Sequence, residues 1–224
     1  MPDSVAIVDY GLGNLFSVRM ACEQVGMAAT VTSVAREILT ADAVILPGVG
    51  AFGDAMAALE RLDLVAVILD AVAQGKPLFG VCLGFQLLMS ESEEFGIHRG
   101  LGVIEGRVRS LGAPTEKGRR LKVPQVGWNQ VRSAGDGSWE GTALAGVADG
   151  GYMYFVHSYI VEPSAPEVVL STTRYGDVEF CSSAAAGSVF GCQFHPERSG
   201  AEGLLIYSNL RARVGERIEK GAAQ

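Results

Sequence analysis

With 224 residues, 48% of them hydrophobic, the chain holds enough apolar material for one sizeable core, and a single domain is its simplest organisation. A net charge of −7 argues against a nucleic-acid binder, which would need a basic face. Charges interrupt every candidate membrane span and no basic leader opens the chain, while four irregularly spaced cysteines without a C-x-x-C pair suit neither a disulfide framework nor a structural zinc site; a cytoplasmic soluble protein is expected.

Residues 5–10 form a short apolar run closed by Gly11-Leu12-Gly13 and read as a buried strand. Asn14 is placed to cap a helix whose apolar positions Leu15, Val18, Cys22 and Val25 recur at helical spacing until Gly26 stops it. Residues 28–32 read as a second strand and 43–46 as a third, closed by Pro47-Gly48. A long helical region spans about residues 51–74, with a break near Asp63, and a fourth strand leads into Cys82. Strands alternating with helices predict an α/β fold, with an open, mostly parallel central sheet and helices on both faces. From residue 102 the pattern turns to short strands and loops: 102–108, a basic loop, 125–129, the aromatic run 152–159, then 168–173 and 188–194. These predict a mixed or antiparallel extension of the sheet. The basic cluster of Arg107, Arg109, Lys117, Arg119, Arg120 and Lys122 reads as a solvated hairpin face. A final helix over about residues 200–214 closes a single domain of residues 1–214, and residues 215–224 read as a polar tail.

Cys82 carries the chemistry. Glycine stands two residues before it and two after it, at Gly80 and Gly84, and the helical pattern Phe85-Gln86-Leu87-Leu88-Met89 follows at once. This is the layout of a nucleophile elbow with cysteine in the place of serine. The glycines let neighbouring backbone pass close to the turn. The helix start favours a thiolate. Cys22, Cys181 and Cys192 read as buried small hydrophobes, the usual state of free cysteine; the glycine bracket sets Cys82 apart.

A cysteine nucleophile needs a base, and the chain has three histidines. His98 lies in a glycine-flanked loop, His157 within the aromatic strand, and His195 ends an apolar strand as Phe194-His195-Pro196-Glu197. In extended chain His195 and Glu197 point the same way, so the carboxylate can hold one ring nitrogen and set the tautomer of the other. The same His-x-Glu begins the zinc deaminase pattern, but no P-C-x-x-C follows it. Pro47-Gly48-Val49-Gly50-Ala51-Phe52-Gly53 contains G-x-G-x-x-G between a strand and a helix. A dinucleotide site would place it after the first strand, with an acid at a later strand end; Asp70, at about that distance, falls in a helical stretch. The loop is better read as offering backbone N–H groups to an oxyanion.

Gly80-Val81-Cys82-Leu83-Gly84-Phe85-Gln86 and Phe194-His195-Pro196-Glu197 together resemble the class I, triad-type glutamine amidotransferases, over about residues 5–210. Four further motifs resemble, more narrowly, the glutaminase subunits of imidazole glycerol phosphate synthases. They are Asp9-Tyr10-Gly11-Leu12-Gly13-Asn14-Leu15, Leu46-Pro47-Gly48-Val49-Gly50-Ala51-Phe52, Gln125-Val126-Gly127-Trp128-Asn129 and Tyr154-Phe155-Val156-His157-Ser158-Tyr159. The resemblance implies the class I glutamine amidotransferase (flavodoxin-like) fold, no cofactor and no metal. It implies hydrolysis of L-glutamine to glutamate and ammonia. The ammonia is channelled to a (β/α)8-barrel cyclase subunit that forms imidazole glycerol phosphate and aminoimidazole carboxamide ribotide in histidine biosynthesis.

On that resemblance Cys82 is the nucleophile, His195 the acid and base, and Glu197 its orienter. Backbone N–H groups of Leu83 and Val49 hold the oxyanion. Gly50, Gln86, Glu94, Ser158 and Tyr159 hold the substrate's amino-acid end. Asn14, Trp128 and Arg198 sit where such subunits face the cyclase; a helix cap and a core aromatic are the alternative readings of the first two. Phe85 stands where methionine is frequent in the family, and Arg198 where lysine is common. The Gly48–Val49 peptide is expected to flip when partner and ligand bind. Competing readings are a glutaminase subunit of the anthranilate synthase or vitamin B6 type, a cysteine peptidase or thioesterase with the same elbow, and a non-catalytic binding protein.

Overall fold

The computed structural model describes residues 3–135 and 139–222, with side chains described as far as residue 215. In chain order it runs β1 (Ser4–Val8), α1 (Leu15–Gln24), β2 (Ala28–Thr32), α2 (Ala35–Thr40), β3 (Ala43–Gly48), α3 (Phe52–Arg61), α4 (Leu64–Ala73), β4 (Leu78–Cys82) and α5 (Leu83–Leu87). Then follow β5 (Gly106–Ser110), β6 (Gln125–Gln130), β7 (Tyr152–His157), β8 (Tyr159–Pro163), β9 (Val169–Tyr175), β10 (Val178–Ala186), β11 (Val189–Cys192) and α6 (Gly200–Ala222), with two-residue ladders between some of them.

The main sheet has the order β2-β1-β3-β4-β11-β10-β8-β5, with β9 beside β10. The strands from β2 to β11 pair in parallel. Beyond β11 the pairing turns antiparallel, which is the predicted extension. β3, β4 and β11 are buried along their whole length, as a parallel sheet covered on both faces requires. Alternation along β1 divides the core. Val5 and Ile7 face α1 and α6, packing with Cys22, Ile206 and Tyr207. Ala6 and Val8 face the other layer, with Ile38, Phe52, Leu59 and Phe85 of α2, α3 and α5. The parallel strands β3, β4 and β11 bring their carboxyl ends to one edge, and there the site is built.

Some elements follow the sequence pattern and others depart from it. The helical region 51–74 does break at Asp63, which takes a left-handed φ of 55°. The run 152–159 is two strands: β7 leaves the main sheet to pair with β6, and β8 rejoins it. Helix α2 and the nine-residue β10 are additions to the predicted elements. β10 carries Cys-Ser-Ser-Ala-Ala-Ala, small residues without a strand-like alternation, and only its place between β11 and β8 makes it a strand. α6 does not stop at Val214 but continues to Ala222. In the basic region Thr115–Glu116 and Arg119–Arg120 form an exposed hairpin, while Arg107 and Arg109 pair with Glu162, so the cluster is a solvated face. Among the described residues no helix is long and apolar enough to cross a membrane.

The β4–α5 junction is packed by glycine. A methyl group on Gly84 would overlap the Leu46 carbonyl oxygen of β3, and one on Gly80 would come within 2.9 Å of the Gly84 carbonyl oxygen. Gly84→Ala is therefore expected to cost roughly 3 kcal/mol, the upper range for overpacking. A urea midpoint equal to that of the unsubstituted chain would show that α5 does not press on β3.

Candidate active site

Strand β4 passes into α5 with no intervening loop. Cys82, at the join, has φ 54° and ψ −109°. A non-glycine residue there costs on the order of 1–3 kcal/mol and persists only when its surroundings over-determine it. The surroundings do so: β3 and β11 flank β4 in register, with Gly48 beside Cys82 and Cys192 beside Val81. The sharp turn takes the side chain out of the strand's alternation and aims it off the carboxyl edge of the sheet. Leu83 opens α5, so its N–H has no carbonyl within the helix to meet. Leu83 and the sulfur border the same space.

His195 reaches this space from beyond the end of β11, whose last paired position is Cys192. Its backbone N–H donates to the Tyr154 carbonyl at 2.9 Å, and its own carbonyl accepts from Ser199 Oγ at 2.7 Å. Ring Nδ1 lies 2.8 Å from Glu197 Oε1, in a pair almost wholly removed from water. Nδ1 therefore donates to the carboxylate, and Nε2 is left for the cavity. Nε2 has no aligned hydrogen-bonding partner, and Cys82 Sγ lies 3.8 Å from the Val156 carbonyl, which would accept from it as a thiol. Sulfur and ring are nonetheless close enough to couple. Burial lowers the imidazole's affinity for a proton, but the Cys82 sulfur and then the Glu197 carboxylate outweigh it, and His195 is pushed up to about 10. An imidazolium beside the sulfur is the counter-ion a thiolate needs.

The cavity these groups share measures about 260 Å³, suited to a small amide rather than a large ligand. Besides Cys82 and His195 it is lined by Val49, Gly50, Leu83, Gln86, Glu94, Ser158 and Tyr159, with Glu197 behind the imidazole. Gly50 holds φ 107°, a conformation open to glycine. Tyr10 Oη donates to the Pro47 carbonyl at 2.7 Å and so fixes the start of that loop. Glu94 Oε2 accepts from the Phe52 N–H at 2.6 Å, which ties the acid to the start of α3. A larger hollow of about 590 Å³ lies at the opposite edge of the sheet, beside Pro77, Ser188 and Arg213, and shares no residue with this set.

Gln193 and His157 are polar residues at the site outside the set read from the sequence. Gln193 is fully buried, with Nε2 3.6 Å from Cys82 Sγ. His195 and Glu197 are not held by the expected extended alternation: Pro196–Arg198 is a single 3-10 turn with His195 at its start, and that turn brings the carboxylate back to the ring. His157 lines the cavity itself, with Nδ1 2.9 Å from the Tyr159 carbonyl. The carbonyl can only accept, so the hydrogen sits on Nδ1. Burial pushes His157 down to about 4, against the help of that carbonyl, and nearby His195 lowers it further. His98 packs on Gly53 and borders a neighbouring hollow.

Of the three residues expected at a partner surface, Asn14 caps α1, accepting from the Ser17 N–H at 3.4 Å. Trp128 is not a core aromatic: it is 56% exposed, edge-on to Tyr154. Arg198 lays its guanidinium 4.5 Å from the centre of the Tyr154 ring. The remaining cysteines, Cys22, Cys181 and Cys192, are buried free thiols.

The family model described as "Glutamine amidotransferase class-I" matches residues 6–209 of the chain. A protein of Moorella thermoacetica named imidazole glycerol phosphate synthase subunit HisH is 47% identical over 206 residues, covering 92% of this chain and 93% of that protein. The protein of the same name from Rhodopirellula baltica is 46% identical, covering 90% and 94%. Among solved structures, a crystal structure of a glutamine amidotransferase superposes with a TM-score of 0.69 at 20% identity, covering 94% of this chain and 98% of that one. The structure of PurLQS from Thermotoga maritima gives 0.70 at 18% identity, covering 96% and 100%. At such identities these two bear on the fold alone.

The lowered His157 makes a pH prediction. With its folded value near 4 and an ordinary value of 6.5, its burial contributes stability that is whole above pH 6.5 and drains away as pH falls toward 4. His157→Phe, which suits the neighbouring Phe155 and Phe180 rings, is expected to flatten that acid decline by on the order of 3 kcal/mol. Urea midpoints at pH 7, 5.5 and 4 measure it; equal slopes in the two proteins would refute it.

Proposed function

The chain belongs to the class-I glutamine amidotransferase family, and from that premise we propose that it is the glutaminase subunit of an imidazole glycerol phosphate synthase. It hydrolyses L-glutamine to glutamate and ammonia and passes the ammonia to a cyclase subunit. The observation that carries the chemistry is the strained Cys82 sharing one small cavity with His195, whose far nitrogen is held by Glu197. The shared name of relatives that align along nearly the whole chain supports the narrower assignment.

The residues take these roles. Cys82 thiolate attacks the side-chain amide carbon of glutamine and forms a tetrahedral intermediate. Its oxyanion is met by the N–H groups of Leu83 and Val49. The His195 imidazolium gives its proton to the amide nitrogen, the C–N bond breaks, ammonia leaves and a thioester remains. Neutral His195 then takes a proton from water as the oxygen attacks the thioester; glutamate leaves, and thiolate and imidazolium are restored. Glu197 orients the ring throughout. Gln86 and Glu94, with Gly50 and the backbone of Ser158 and Tyr159, hold the substrate's ammonium and carboxylate.

The partner is a (β/α)8-barrel cyclase that docks on the face carrying Trp128, Arg198 and Asn14. The exposure of Trp128 and the stacking of Arg198 on Tyr154 support that face. The working unit is one glutamine amidotransferase domain over residues 1–214, in the cytoplasm. The Gly48–Val49 peptide turns its N–H into the oxyanion site when cyclase and cyclase ligand are bound, which keeps the free subunit nearly silent.

The test mixes purified chain with a matching cyclase and follows glutamate release with and without the cyclase's ligand. Large ligand-dependent stimulation is expected, with Cys82→Ser abolishing it. Val49→Pro removes the N–H and is expected to cost roughly 10²–10³-fold in stimulated rate. Turnover indifferent to the cyclase would remove the partner assignment, and a fully active proline variant would remove the peptide flip.

A further inference from the structure

Gln193 is a fully buried polar residue in contact with the sulfur, and the mechanism above leaves it without a task. Its backbone N–H donates to the Ser182 carbonyl at 2.9 Å, and its side-chain amide is turned to the site. Three contacts decide which way it points. Gln86 Nε2 lies 3.1 Å from the Tyr159 carbonyl oxygen, which can only accept. The same nitrogen lies 3.0 Å from the Gln193 amide, so the atom facing it there is Oε1. With its oxygen committed to Gln86, Gln193 turns its NH₂ group to Cys82 Sγ at 3.6 Å. One main-chain carbonyl thus sets the polarity of two side-chain amides in series and ends the series on a donor to sulfur.

That donor suits one protonation state of the nucleophile. As a thiol, Cys82 donates to the Val156 carbonyl. A thiolate would be repelled by that oxygen and stabilised by the N–H of Gln193, since hydrogen bonding to a charged form favours it. The second consequence lies at the substrate end. With both hydrogens of its Nε2 taken, Gln86 has Oε1 free as an acceptor. We propose that Gln193 is a positioning residue for the glutaminase reaction: it donates to the Cys82 thiolate and locks Gln86 with its acceptor toward the substrate's amino-acid end. The proposal rests on Cys82 being the nucleophile of the reading above.

Alkylation of Cys82 by iodoacetamide, followed across pH in the full chain and assigned by peptide mapping, reads the thiolate without glutamine. Gln193→Glu keeps the shape and the acceptor for Gln86 but faces the sulfur with a carboxylate. Gln193→Met keeps the bulk and removes both bonds. Alkylation at pH 7 is expected to slow by roughly tenfold in Q193E and severalfold in Q193M, each with its midpoint moved to higher pH, about one unit in Q193E. KM for glutamine, measured with the cyclase complex, rises in Q193M more than in Q193E, because only the former frees Gln86. A merely space-filling role would leave the pH profile in place, so two profiles overlaying that of the unsubstituted chain overturn the proposal. Should neither variant fold, the Gln193 side-chain amide resonance of the unsubstituted chain is expected to move with pH in step with Cys82 alkylation, and a flat resonance overturns it. Absence of glutamine turnover in the unsubstituted chain would strike the functional reading and leave the alkylation result standing.

Discussion

Cys82 sits at φ 54° because a strand and a helix meet there with nothing between them. In ordinary extended backbone the side chain would continue the alternation of β4 and enter one of the two cores. The positive φ lifts it off the sheet instead. Such a conformation is stable only if its neighbours cannot follow it back, and they are themselves constrained. β3 and β11 grip β4 in register on both sides, and α5 is pressed against β3 so closely that Gly84 has no room for a methyl group. The penalty at one residue is met by burial in the layers around it. The same constraint sets Gly48 and the loop after it beside the sulfur, at the edge where three parallel strands end.

Two imidazoles border this cavity and the protein drives them apart. Both are buried, and desolvation alone would leave both neutral. His195 faces the Cys82 sulfur and rests on Glu197, and so is pushed up to about 10. His157 has a carbonyl on one side, the Phe155 and Phe180 rings around it and His195 as a repelling neighbour, and falls to about 4. One ring is equipped to carry a proton and the other to remain a neutral wall. Paired titratable groups with diverging environments are how a single site separates its roles.

Strand β7 joins this chemistry to the surface. Its Val156 carbonyl meets the thiol, its Tyr154 carbonyl meets the His195 N–H, and its Tyr154 ring lies between Trp128 and Arg198. Trp128 could be recognised in the sequence but not placed: alternation in β6 does not say which face is covered, and among the described residues β6 pairs with β7 alone, outside the main sheet. Its outward face therefore stays open. β10 was hidden for a related reason, since a strand of small residues is defined by its neighbours and not by its own pattern.

The sequence by itself determined the α/β alternation, the strand-to-helix elbow at Cys82 and the local pairing of His195 with Glu197. Each of these depends on residues within a few positions of one another: glycines at a turn, an apolar run, a histidine and a carboxylate two residues apart. Only the tertiary structure decided that the two halves, separated by more than a hundred positions, end on adjacent parallel strands. It also decided that His157 joins the wall, that Gln193 stands against the sulfur and that the aromatic face of β6 is exposed. Those outcomes turn on strand order and on which face another layer covers, and neither is written in local pattern.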